Sequence, residues 1–177
     1  MAFRCCHQIS EDSIGVDRNL DRLGELIGAQ FAVESVMIPG FIDTDLPSRQ
    51  VRAYPSLIAF GNGEKYLIIE PADDGDQLCA RVSRELGIPK DLSDEPSIDP
   101  LYLDAANIMV DEFLPVEMVS IHTYGDHSKD IGTTTSGIRV EFANGRVVCV
   151  RVPAAMGMTI GGADVMDGIE GVPARVY

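Results

Sequence analysis

Apolar and polar residues alternate most regularly on either side of two Asn-Gly pairs, in "SLIAFGNGEKYLIIEPA" and "GIRVEFANGRVVCVRVPA". Such runs joined by Asn-Gly predict β-hairpins, because these residues tolerate the left-handed backbone that a tight turn between twisted strands requires. The two hairpins resemble each other. Phe60 and Phe142, Asn62 and Asn144, Gly63 and Gly145, Pro71 and Pro153, and Ala72 and Ala154 each stand 82 residues apart. "VESVMI" from Val33 and "VEMVSI" from Val116 match at an offset of 83 and predict a strand ahead of each hairpin.

Helical spacing replaces alternation upstream of each strand. Leu20, Leu23, Leu26, Ile27 and Phe31 recur every three or four residues, as do Tyr102, Ala106, Met109, Val110 and Phe113. An amphipathic helix is therefore expected before each strand, the second running from Asp99 or Pro100 to Leu114. After the first hairpin, "DDGDQLCARVSRELGIP" puts Leu78, Val82 and Leu86 at i, i+4 and i+8 between an acidic start and a Gly-Ile-Pro stop, which predicts a further helix. The matching stretch after the second hairpin, "MTIGGADVMDGIEG", is rich in glycine, and each glycine costs a helix about 1 kcal/mol against alanine. A short or broken helix is expected there. With no basic residue in the run, it lacks the means to hold a phosphate.

The expected fold class is α+β: internally duplicated helix-strand-hairpin(-helix) halves forming one pseudo-twofold domain over residues 1–177. The halves span about 16–89 and 100–173, joined by the acidic, proline-containing link "PKDLSDEPSIDP".

Charge narrows the function. Twenty-eight acids against fourteen bases give a net charge of -14, which repels a phosphate backbone and favours cationic partners, so nucleic-acid binding is not expected. No apolar run approaches the roughly 18 residues that cross a bilayer, and "MAFRCCHQISED" lacks the apolar core of a signal peptide, which points to the cytoplasm and away from membranes. Four cysteines without a paired spacing read as free thiols. The cluster Cys5, Cys6, His7 has no second pair to complete a zinc site, and neither a metal nor a cofactor is expected.

Between Asp91 and Glu112 lie seven acids and no base: Asp91, Asp94, Glu95, Asp99, Asp104, Asp111 and Glu112. A local field of one sign steers an oppositely charged partner, which makes these residues the candidate partner-binding face. Asp104, Asn107 and Asp111, at i, i+3 and i+7, would form one polar stripe on the second-half helix. His122, Asp126, His127 and Asp130 in "HTYGDHSKD" are of metal-binding or acid-base type, without a helical His-His spacing to organise them. No G-x-S-x-G or comparable nucleophile signature is present. Open strand edges leave room for a homodimer.

The element order over roughly residues 16 to 152, with "DAAN" from Asp104 to Asn107 on the helix after the link, resembles the chemotaxis phosphatases of the CheC and CheX type. That resemblance implies an internally duplicated fold in which a Glu-x-x-Asn motif acts on the aspartyl phosphate of a response regulator. Carried over, Asp104 and Asn107 would be catalytic, the amide positioning the attacking water. Asp104 stands where the family has Glu, and the first half offers Asp21 and Gly24 without the amide. Charge and the lack of a catalytic set point first to another class, a non-catalytic acidic protein of the immunity, inhibitor or adaptor type that docks on a basic protein.

Overall fold

Among the described residues the regular structure is mostly strand. The computed structural model describes residues 22–27, 31–45, 50–72, 75, 77–125, 135–152, 158–167 and 175–176. Among these residues two antiparallel sheets of six strands each share one apolar interior. In the first, β2 (Ser35–Asp43) is central: β4 (Ile58–Gly61) and β3 (Val51–Ala53) divide one of its edges and β7 (Ile98–Asp104) takes the other. The sheet continues through β5 (Tyr66–Pro71) to β6 (Leu78–Ser83). In the second sheet, β8 (Val116–Tyr124) pairs with β9 (Gly137–Phe142), followed by β10 (Val147–Arg151) and β11 (Thr159–Gly161). The other edge of β8 receives β1 (Ala32–Val33) and β12 (Arg175–Val176). The chain through β1 and β2 therefore passes from one sheet into the other.

The expected α+β class is corrected by this architecture, and so is the resemblance to the chemotaxis phosphatases that depended on it. The α-helices among the described residues are single turns, α1 (Lys90–Ser93) and α2 (Ala106–Met109). Short 3-10 turns span Arg22–Leu26 and Ala163–Met166. The segment from Leu78 is strand because its spacing serves two periods at once. Leu78 and Val82 satisfy i, i+4, but Ala80 lies between them, and all three face the interior while Cys79 and Arg81 face outward. Likewise Leu101 and Leu103 alternate with Pro100 and Tyr102 along β7, a period of two that the scattered helical matches concealed.

The interior joins both sheets. Val36, Ile38, Phe60, Leu67 and Ile69 meet Met118, Ile121, Val140, Phe142, Val148 and Val150, and the rings of Phe60 and Phe142 lie 5.8 Å apart, tilted by 46°. That offset, tilted geometry is the favourable one for aromatic quadrupoles. Leu23 and Leu26, on the first 3-10 turn, are fully buried in the same interior. A smaller cluster, Leu57, Ala59 and Ile68 with Met37, Tyr66, Leu86 and Tyr102, occupies the outer face of the first sheet.

The two Asn-Gly pairs build different turns. In the first, the Asn62 amide donates to the Lys65 carbonyl across a two-residue loop headed by Gly63, φ 82°. In the second, the Phe142 amide donates to the Arg146 carbonyl and Gly145, φ 80°, closes a three-residue loop. The partner of Phe60 is Leu67, seven residues on; that of Phe142 is Arg146, four on. Because three is odd, residues 82 apart on β5 and β10 face opposite ways, so the sequence offset is not a spatial equivalence beyond the turns. In β8 a register shift between Met118 and Ser120 leaves Val119 as an extra, exposed residue.

Nothing within 4 Å would meet a Cβ at Gly145, so Gly145→Ala isolates the backbone cost of the left-handed conformation. The expected loss is about 1–2 kcal/mol of unfolding free energy in a urea titration. A loss near zero would show that the loop relaxes. Among the described residues no helix is long and apolar enough to cross a membrane.

Candidate functional site

The acid-rich segment folds as α1, β7, α2 and the connection into β8; five of its seven carboxylates, Asp91 to Asp104, lie on α1, on β7 or between them, and Asp111 and Glu112 lie on the connection. Asp91 and Asp94 are exposed on and just after α1, where Asp94 pairs with Lys90 at 3.9 Å. Asp91 accepts a hydrogen bond from the Tyr54 hydroxyl, which, with burial and the charge of Asp91, pushes that phenol up to about 12. Glu95 accepts from the Ser97 hydroxyl at 2.7 Å and from its amide at 3.3 Å, and these bonds hold its carboxyl below the usual range. Asp99 is exposed on β7, opposite Ile42.

Asp104 ends β7, and its Oδ1 accepts from the amides of Ala106 at 3.0 Å and Val36 at 3.3 Å. The carboxylate thereby fixes the start of α2 and ties it to β2. Asn107 is exposed within the four residues of α2. The proposed carboxylate-amide pair on one face of a long helix is therefore absent: Asp104 belongs to a strand and is committed to two backbone amides. Asp111 accepts from the Phe113 amide at 3.1 Å and from Asn144 Nδ2 at 2.8 Å, and the same Nδ2 donates to the Val110 carbonyl at 3.1 Å. These bonds, the Phe113 amide foremost, lower the Asp111 pKa. They also attach the connection to the second Asn-Gly turn.

α2 and that connection carry the two most exposed large apolar side chains among the described residues, Ile108 at 84% and Phe113 at 77%. Sequence spacing had assigned Phe113 to a buried helical face. What is buried is Ala106 and Val110, which anchor α2 in the main interior. Ile108 and Phe113 point away from it, beside Asn107, Asp111 and Glu112. Apolar residues within and directly after an acidic run are the available signal.

A second group of polar residues lies on the outer face of the second sheet. The Ser120 hydroxyl donates to Glu141 Oε2 at 2.8 Å and lies 2.9 Å from His122 Nε2; His122 Nε2 is 3.6 Å from Glu141, and Arg139 Nη2 is 2.5 Å from Glu141 Oε1. Cross-strand pairing brings Ser120 to Glu141 and His122 to Arg139. The arrangement does not activate Ser120. Its proton goes to Glu141, so His122 must donate through Nε2 and cannot accept from the serine there. Nδ1, which a catalytic triad would orient with an acid, is buried without a hydrogen-bond partner among the described residues. Cys149, in the same row of the sheet, is fully buried, and burial pushes its thiol up to about 11, far from a nucleophilic thiolate. Asp126, His127 and Asp130 lie outside the described residues; among those described, no three His, Cys, Asp or Glu side chains group to hold a metal.

Glu141 is held below the usual carboxylate range, mainly by Ser120 and then by the charges of Arg139 and His122. A depressed carboxylate stabilises the fold above its unfolded pKa, roughly 4.3, and that contribution is lost as pH falls through the lower folded value. Ser120→Ala is expected to move the Glu141 titration upward, read from carboxyl carbon shifts by NMR. An unmoved titration would assign the depression to the cations alone.

No family model, curated protein or solved structure matches this chain.

Proposed function

We propose that the protein is a non-catalytic binding module, of the inhibitor or adaptor kind, that docks on a basic protein through the acidic segment from Asp91 to Glu112. One observation carries the proposal: of the most exposed large apolar side chains among the described residues, Ile108 sits inside the run of seven acids and Phe113 directly follows its last, Glu112. Apolar anchors ringed by charge are the usual composition of an interface centre and rim. Asp104, Asp111 and Asn144 tie the connection to β2 and to the Asn-Gly turn, so its side chains are presented with little ordering left to do on binding. Among the described residues Asp94 alone of these acids is ion-paired, to Lys90, while Asp91, Glu95, Asp104 and Asp111 are held by amides and hydroxyls, so most of the charge is not neutralised by a paired cation.

Asp94, Asp99 and Glu112 are exposed, and the amide variants keep their shape. Asp94→Asn with Asp99→Asn and Glu112→Gln is expected to slow association with the basic partner about tenfold or more at low salt, and to flatten the salt dependence of that rate. Association unchanged at every salt concentration would remove charge steering from the account.

A further inference from the structure

Among the described residues β7 is an edge strand with one side open, pairing with β2 alone. The Thr44 amide donates to the Ser97 carbonyl and the Ala105 amide to the Val36 carbonyl, one bond just beyond each end of the strand. In an antiparallel ladder the bonded residues alternate. Asp99, Leu101 and Leu103 therefore direct their backbone groups to β2, while Ile98, Pro100, Tyr102 and Asp104 direct theirs outward. Pro100, with no amide hydrogen, stands where none is needed by β2.

The side chains along this edge are also incompletely used. Leu101 and Leu103 lie opposite Gly40 and Ile38, on the side of the sheet that faces the interior. Both are half-buried, and among the described residues neither belongs to the main cluster or the outer one. Val51, across β2 from them and opposite Ile42, is exposed. An apolar strip thus continues past the interior to the open edge, with Asp99 on the strip and Asp94, Glu95 and Asp104 at its ends.

We infer that the β7 edge accepts an extended basic segment of the partner as an added strand. Such a segment would pair with the outward backbone groups of Ile98 and Tyr102 and lay alternate apolar side chains beside Leu101 and Leu103. Its lysines or arginines would reach the acids. The same features disfavour a second copy of this chain, since β7 against β7 would bring the acids around one edge close to those around the other, and the Pro100 of each strand would withhold an amide from the shared ladder. This inference rests on the acidic docking face proposed above and specifies how the partner is read.

The probe is a synthetic peptide of alternating valine and threonine flanked by paired lysines, with two derivatives N-methylated on alternate backbone amides, one set in each. An added strand uses only one of its two edges. The expected result is that one derivative binds at least about tenfold more weakly than the parent and the other does not, and that the parent slows exchange of the Tyr102 amide about tenfold or more. If both derivatives bind like the parent and Tyr102 is unaffected, strand addition is wrong and docking on the acids alone stands. If the parent peptide does not bind even at low salt, both are overturned. Binding that appears only after residues 1–21 are removed would place this chain's own segment on the edge and overturn the inference.

Discussion

Replacing Phe60 with alanine is expected to destabilise the protein by about 3–5 kcal/mol, the largest loss of any single substitution considered. Phe60 is fully buried where the two sheets meet, and its ring faces Phe142 at 5.8 Å. The neighbours that would have to collapse into the cavity, Val36, Leu67 and Val140, are held in two different sheets, so relaxation is limited. Urea unfolding of Phe60→Ala, Phe142→Ala and the double variant forms a cycle. A coupling of about 0.5–1.5 kcal/mol is expected from the ring contact itself. A cost below about 1 kcal/mol for either single variant would mean that the sheets do not share one interior.

Ile108→Ser with Phe113→Ser is expected to have the opposite profile: little change in stability and a large loss of binding. Both side chains are mostly in solvent, so the unfolding free energy should move by no more than about 0.5 kcal/mol. Binding to the basic partner should weaken about a hundredfold, in the range of truncating central interface residues. If the variant unfolds more easily instead, the side chains serve the fold and the proposed interface loses its anchors. If stability and affinity are both unchanged, the interface lies elsewhere.

The parts of the fold legible in the sequence were those fixed locally. An Asn-Gly pair between apolar runs needs only its own few residues to turn the chain, and strands flank both pairs. What those residues do not determine is loop length, and one loop of two residues and one of three set β5 and β10 in opposite phase. The helices failed for a different reason. Leu78 and Val82 are equally compatible with periods of 2 and 3.6, and Ala80, small enough to be ignored in a count of large apolar residues, decides between them by its burial. β7 takes its conformation from the ladder with β2, some sixty residues earlier, which overrides any local helical preference. The acids of the candidate face were visible as composition; that Asp104 and Asp111 brace the connection that presents Ile108 and Phe113 depends on amides of Val36 and Asn144, distant in sequence.

The measurement closest to the central claim is retention of proteins from the host on three immobilised forms: the wild type, the variant lacking the charges of Asp94, Asp99 and Glu112, and the Ile108→Ser, Phe113→Ser variant. A basic protein is expected to be held by the wild type in near-stoichiometric amount, released by salt, held less by the charge variant and lost from the apolar variant. Retention of the same proteins by all three forms would contradict that claim.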